Sequence, residues 1–173
     1  MTTETLRAER PSAMWFVVPA LVMADLITKF WALTTLGPAA IEISFGNFVA
    51  LRLTQNTGVA FGALDFGFGW GSVVPLVLTI AFTAVVGLWM VKASSEWRRS
   101  LIALIFAGAV SNIIDRLANG AVTDFIEYRW FGEAMFTGNL ADIWISVGAV
   151  GSFGAALLQH FARSAEGPPS RGD

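Results

Sequence analysis

The 173-residue chain is 55% hydrophobic and 14% charged, whereas a soluble domain carries about a quarter charged residues, and its apolar residues fall in blocks of membrane-span length. It has no cysteine, which excludes disulfides, thiolate catalysis and cysteine-ligated zinc. A net charge of −2 gives no footing for a nucleic-acid partner.

A bilayer-crossing helix needs roughly 20 residues, and four segments qualify: about 14–36, 70–91, 100–117 and 140–161. The expected fold class is a single α-helical membrane domain over residues 1–173, with four transmembrane helices and a small outer-face β-sheet. No internal repeat is visible. The first run lacks an A-x-A-like cleavage site, so it reads as a retained span and not as a removed signal peptide. It contains Asp25 and Lys29, four apart on one helix face, where pairing would cheapen both charges inside a membrane. A structural role fits this pair better than a chemical one.

The 37–69 connection is too long for a plain loop. Its core, ISFGNFVALRLTQNTGVAFGAL, has β-prone runs around Gly/Asn turns and predicts a small sheet on the membrane surface. Asn56 and Gly58 mark one such turn. Span three is short, and Asn112, Asp115 and Arg116 crowd its end; read alone, Asp115 and Arg116 fit an interfacial salt bridge. Asn119-Gly120 is a helix stop. AVTDFIEYRWF follows, β-prone with an aromatic end suited to headgroups. Asp124 lies in its middle between apolar neighbours, where strands disfavour Asp and burial would raise its pKa. Asn139 and Asp142 stand as N-cap and N3 residues of span four, where the helix dipole favours charge; that spacing also suits a cap and nothing more. Residues 165–173 read as a disordered tail.

Seven of the eleven basic residues (Arg7, Arg10, Lys92, Arg98, Arg99, Arg163 and Arg171) precede span one, join spans two and three, or follow span four. Both termini and the 92–99 loop are therefore expected in the cytoplasm. Lys29, Arg52, Arg116 and Arg129 fall in span one or on the outer side, with most of the carboxylates. The one histidine, His160, lies at the cytoplasmic end, away from the other polar groups, so Ser–His and Cys–His chemistry is excluded at the outer face. Carboxylates remain. Two aspartates sharing a proton, Asp124 and Asp142, could activate water and polarise a carbonyl. A histidine-free oxygen site would suit only Mg²⁺ or Ca²⁺; no metal or cofactor is expected. A four-span transporter or a non-enzymatic binding scaffold is the alternative to an enzyme, although transporter charges belong at mid-membrane depth on several spans.

Five blocks in order, D-x-x-x-K (Asp25, Lys29), N-T-G-x-A-F (Asn56 to Phe61), N-x-x-D-R (Asn112, Asp115, Arg116), G-x-V-x-D-F (Gly120 to Phe125) and N-x-A-D (Asn139, Ala141, Asp142), resemble the bacterial prolipoprotein signal peptidases, or signal peptidase II family. The resemblance covers most of residues 20–150. It implies an inner-membrane aspartyl endopeptidase that cuts just before the diacylglyceryl-cysteine of a lipidated precursor, at the periplasmic interface, acting as a monomer. By position, Asp124 and Asp142 would be the catalytic pair. Asn56, Asn112, Arg116 and Asn139 would bind substrate or position the pair, and Asp25, Lys29, Gly58 and Asp115 would support them. The resemblance also implies a β-cradle from 37–69, a flexible segment near 128–138, and binding of globomycin-type peptides. Ser111, Thr123 and Gly138 depart from the family pattern, which has Gly, Val and an aromatic residue there.

Overall fold

The computed structural model describes residues 14–37, 39–58 and 73–165. Outside these residues lie Arg7 and Arg10, Ala60 and Phe61 of the second motif, the rest of the outer segment to residue 69, residues 70–72 of the expected second span, and the tail from 166. The chain order is α1 (Met14–Thr35), β1 (Glu42–Phe45), β2 (Val49–Asn56), α2 (Val73–Lys92), α3 (Glu96–Asn119), β3 (Val122–Trp130), β4 (Glu133–Gly138) and α4 (Leu140–Ala165). All four helices are long and apolar enough to cross a membrane.

The third helix is longer than its apolar run. It begins at Glu96, includes Arg98 and Arg99, and runs 24 residues, because charged residues at a membrane boundary can extend a helix into the headgroup region. It stops where expected: Gly120 adopts the left-handed conformation (φ 74°) and its N–H caps the Arg116 carbonyl, as C-terminal glycines do.

Helix α3 is central and packs against α1, α2 and α4. In lipid there is little hydrophobic drive between helices, so close packing of small residues has to hold them. At Gly108 a Cβ would lie 2.5 Å from the Ala141 carbonyl oxygen, and at Gly148 one would lie 2.5 Å from that of Leu101. The α3 and α4 backbones therefore touch at both depths. The Gly108 contact falls on the first turn of α4.

The sheet draws on both outer connections, not on 37–69 alone. Its order is β1-β2-β3-β4, antiparallel throughout. Residues 128–138, expected to be flexible, form the β3–β4 hairpin, paired from Ile126↔Gly138 to Trp130↔Glu133. Phe131 (φ 50°) and Gly132 (φ 92°) close it, two left-handed residues as a tight I′ turn requires. Phe125 docks the sheet on the end of α1, against Ala32 and Leu36.

Gly108→Ala is expected to destabilise the protein by about 1–3 kcal/mol through overpacking. Gly154→Ala, where nothing lies within 4 Å of the added Cβ, should stay within about 0.5 kcal/mol of wild type. Thermal unfolding of the two variants in detergent measures the contrast.

Candidate active site

Lys29 organises the buried polar residues. It is 2% exposed, and an unmatched ammonium at that depth is costly. Its Nζ donates to Asn112 Oδ1 at 2.7 Å and contacts Asp25 Oδ2 at 2.8 Å and Asp115 Oδ2 at 3.3 Å, which uses all three of its protons. The remaining carboxylate lone pairs are also engaged. Asp25 accepts from Ser111 Oγ at 2.6 Å and from the Ala141 backbone N–H at 2.7 Å. Asp115 accepts from the Thr123 N–H and hydroxyl and from Asn119 Nδ2. Asp115 thus pairs with Lys29 and not with Arg116, which corrects the expected interfacial salt bridge. Helical geometry decides this: Asp115 and Arg116 are adjacent, so their side chains leave α3 about 100° apart.

The network reaches both candidate catalytic carboxylates. Because the Asn112 carbonyl faces Lys29, its amide faces α4 and donates to Asp142 Oδ1 at 3.3 Å. Asn139 and Asp142 make a reciprocal capping box: the Asn139 N–H reaches Asp142 Oδ2, and the Asp142 N–H reaches Asn139 Oδ1, each at 3.1 Å. Asp25 takes the next orphan N–H of the same helix start, that of Ala141. Fully buried Asn139 then spends its amide on Asp124 Oδ1 at 2.7 Å. One side chain therefore links the two aspartates.

Asp124 comes from mid-β3, opposite Thr54 of β2, and is 1% exposed. Its second oxygen accepts from Asn56 Nδ2 at 3.1 Å. Asn56 is oriented by an Asx turn, its Oδ1 accepting from the Gly58 N–H at 3.1 Å. The Gly58 carbonyl accepts from Arg116 Nη2 at 3.2 Å, and Nη1 reaches Thr79 Oγ1. Arg116 Nε is buried with no partner among the described residues. The Asp124 pKa is pushed up to about 6, chiefly because burial disfavours the charged form. Hydrogen bonds from Asn56 and Asn139 oppose the rise, and the charge of Asp142 adds to it.

These groups face a cleft of about 1240 Å³. Asn56, Arg116, Asp124 and Asp142 line its polar part, and Leu78, Phe82 and Val147 its apolar part between α2 and α4. Tyr128 stacks on Phe136 (centroids 4.5 Å) to form an aromatic wall. Burial raises the Tyr128 pKa, with the negative charge of Asp142 adding to the effect, so the phenol stays a donor. A Cβ at Gly138 would sit 3.0 Å from Asp142 Oδ2; glycine leaves that flank of the carboxylate open.

All ten residues singled out in the sequence are brought together, in two joined groups. Asp25, Lys29, Asn112 and Asp115 form the ion cluster. Asn56, Gly58, Arg116, Asp124 and Asp142 line the cleft, with Asn139 buried between the two aspartates. Sequence reasoning missed Ser111, Thr123, Thr79 and Tyr128. Only the first two carried a signal, as departures from the family pattern that each add a hydroxyl.

Four membrane-length helices and a carboxylate pair at one end of a large amphiphilic cleft define a polytopic membrane protein with a candidate active site. A model of the family described as Signal peptidase (SPase) II matches residues 17–158, and the chain belongs to that family of membrane proteases that process prolipoproteins. It is similar to lipoprotein signal peptidases of Shewanella sediminis (34% identical, 85% of this chain and 82% of the relative), Xanthomonas axonopodis pv. citri (33%; 94% and 95%) and Dichelobacter nodosus (37%; 80% and 90%). Two solved structures, each titled a bacterial membrane enzyme structure by the in meso method, superpose with TM-scores of 0.71 (21% identity; 93% of this chain and 94% of that one) and 0.70 (26%; 84% and 92%). The transporter or scaffold alternative finds no support in these likenesses.

Two outcomes follow from the electrostatics. Lys29→Ala leaves two buried carboxylates without their cation and should cost about 3–5 kcal/mol, read as loss of folded protein in detergent. For Asp124 the folded pKa of about 6 lies above the ordinary 3.8. Its contribution to stability is therefore full below about 3.8 and lost as pH rises through 6. Asn cannot titrate, so the melting temperature of Asp124→Asn relative to wild type should rise from pH 5 to pH 8, by the equivalent of about 1.4 kcal/mol.

Proposed function

We propose that this protease is of the aspartic type and that Asp124 and Asp142 share one catalytic proton. The carrying observation is Asn139, which hydrogen-bonds Asp124 through its amide and the Asp142 N–H through its carbonyl. The two carboxyls sit in unlike surroundings. Asp124, buried in the sheet, is the one that keeps the proton up to about pH 6. Asp142, at the start of α4 with the Asn139 N–H on one oxygen and the Asn112 amide on the other, is the charged partner.

In this reading a water molecule lies between the carboxyls and faces the scissile carbonyl. Asp142 removes a proton from the water as its oxygen bonds to the carbonyl carbon. Asp124 donates its proton to the carbonyl oxygen, so the tetrahedral intermediate forms without a buried negative oxygen. Collapse of the intermediate breaks the C–N bond. The proton held by Asp142 passes to the leaving amine, the hydroxyl proton returns to Asp124, and the pair regains its starting state. Arg116, whose Nη groups reach Gly58 and Thr79 at the cleft wall, would hold a backbone carbonyl of the signal peptide. The apolar reach of the cleft along Leu78, Phe82 and Val147 suits the acyl chains of a diacylglyceryl-cysteine, in keeping with a cut just before that residue. Every site group comes from one chain, so a monomer suffices, and peptides of the globomycin type are expected to compete for the cleft.

The basic-residue distribution supports cytoplasmic termini and a site at the periplasmic interface of the inner membrane. A cysteine introduced at Ser95 should resist an impermeant thiol reagent applied from outside; labelling there would reverse the topology.

Asp124→Asn and Asp142→Asn should each nearly abolish cleavage of a lipidated precursor while remaining folded, and the double variant should lose little beyond either single one. The kcat/KM profile should be bell-shaped, with its alkaline limb starting near pH 6 and both apparent pKa values belonging to the pair. Chelator should leave the rate unchanged. Arg116→Lys keeps the charge but not the fork of donors and should lower kcat/KM at least tenfold. A folded Asp124→Asn enzyme that still cleaves would remove Asp124 from the mechanism.

A further inference from the structure

At the end of the bundle opposite the carboxylate pair, α2 ends in Lys92, a short turn leads into α3, and α4 passes alongside. A cavity of about 270 Å³ lies between them. Its polar lining is Lys92, Ser94, Arg98, Ser152 and Gln159, and its apolar side includes Trp89.

The charges there are unbalanced. Half-buried Arg98 is held by neutral acceptors only: Nε donates to Ser95 Oγ at 3.2 Å, Nη1 to Gln159 Oε1 at 3.4 Å, and Nη2 to Ser94 Oγ. Among the described residues it has no carboxylate partner, nor does exposed Lys92. Among the described residues, the one acid at this end, Glu96, is taken by Arg99 at 2.6 Å. Arg98 also stands in the first turn of α3, where a cation opposes the helix dipole. The cap-position Ser95 makes no side-chain cap, because its hydroxyl serves Arg98. Ser152 Oγ, lining the cavity, is buried without a partner among the described residues. Three groups in one small cavity are thus prepared for an anion that none of the described residues supplies.

We propose that this cavity binds a phosphate group, that of an anionic phospholipid in the adjoining leaflet. Basic pockets between helix ends at a membrane surface take such headgroups. The volume lies just below that of pockets enclosing a drug-sized ligand, which suits a headgroup whose acyl chains stay outside. Trp89, half exposed, is the residue type that sits at the headgroup level beside such chains. The inference needs only the four-span architecture and is independent of the catalytic reading.

The test is lipid binding to delipidated enzyme in neutral detergent, measured by native mass spectrometry for phosphatidylglycerol and phosphatidylcholine of matched chains. Phosphatidylglycerol should bind wild type at least tenfold tighter, with each cation contributing roughly fivefold. The preference should vanish in a Lys92→Gln/Arg98→Gln double variant. Lys92→Gln alone, a change at an exposed position that the fold tolerates, should reduce it severalfold, and Arg99→Gln should leave it intact. Inorganic phosphate should weaken phosphatidylglycerol binding to wild type. Equal affinity for the two lipids, or a preference surviving in both Lys92 variants, overturns the proposal. Inorganic phosphate binding that depends on Lys92, with no preference between the lipids, assigns the cavity to soluble phosphate and overturns the lipid source.

Discussion

A lysine enclosed by protein within a membrane-crossing helix has to be neutralised where it stands. Lys29 meets this requirement with one carboxylate from its own helix, Asp25, and one from α3, Asp115. Each then has a further task. Asp25 takes the Ala141 N–H and so pins the first turn of α4. Asp115 takes the Thr123 N–H and so pins β3 one residue before Asp124. Asn112, turned by the same ammonium, presents its amide to Asp142. One buried charge therefore sets the positions of the helix start and the strand that carry the proposed catalytic pair. Ser111 and Thr123 add hydroxyl bonds to these same two carboxylates, satisfying lone pairs that would otherwise be buried unpaired.

The two aspartates then differ by construction. One arrives on a strand among apolar neighbours, and the other at a helix N-terminus, with the Asn139 N–H on one oxygen and the Asn112 amide on the other. Asn139 holds them together without making them alike. Positioning of this kind is preorganisation: the donors stand in place before substrate arrives, and little reorganisation remains for the chemical step. The outer sheet and the glycine-mediated contact of α3 with α4 serve the same end, fixing Asp124 and Asp142 from opposite sides of the cleft.

The four helices, the outer sheet and the residues of the site were legible in the sequence because bilayer thickness dictates span length and because charges at such depth demand a reason. The partners of those charges were less legible. Asp115 and Arg116 are neighbours in sequence, yet α3 sends one to Lys29 and the other to Gly58, and only the azimuth around the helix tells them apart. Thr123 and Ser111 looked like mild departures, but their hydroxyls meet carboxylates on other elements, a long-range contact that no local pattern encodes. The sheet was placed in the first outer connection, whereas half of it comes from the second; strand pairing across more than sixty residues leaves no short-range signature. The N-cap of α4 was readable, because a capping box is contained within four residues.

The claim at the centre is that one proton resides on the pair, chiefly on Asp124, up to about pH 6. Infrared titration of the protonated carboxyl stretch in the purified enzyme tests it directly. Wild type should show a band titrating near pH 6. The band should be missing in Asp124→Asn and should titrate at lower pH in Asp142→Asn, where the neighbouring negative charge is gone. A band unchanged in both variants, or no carboxyl protonated above pH 5 in wild type, would contradict the account.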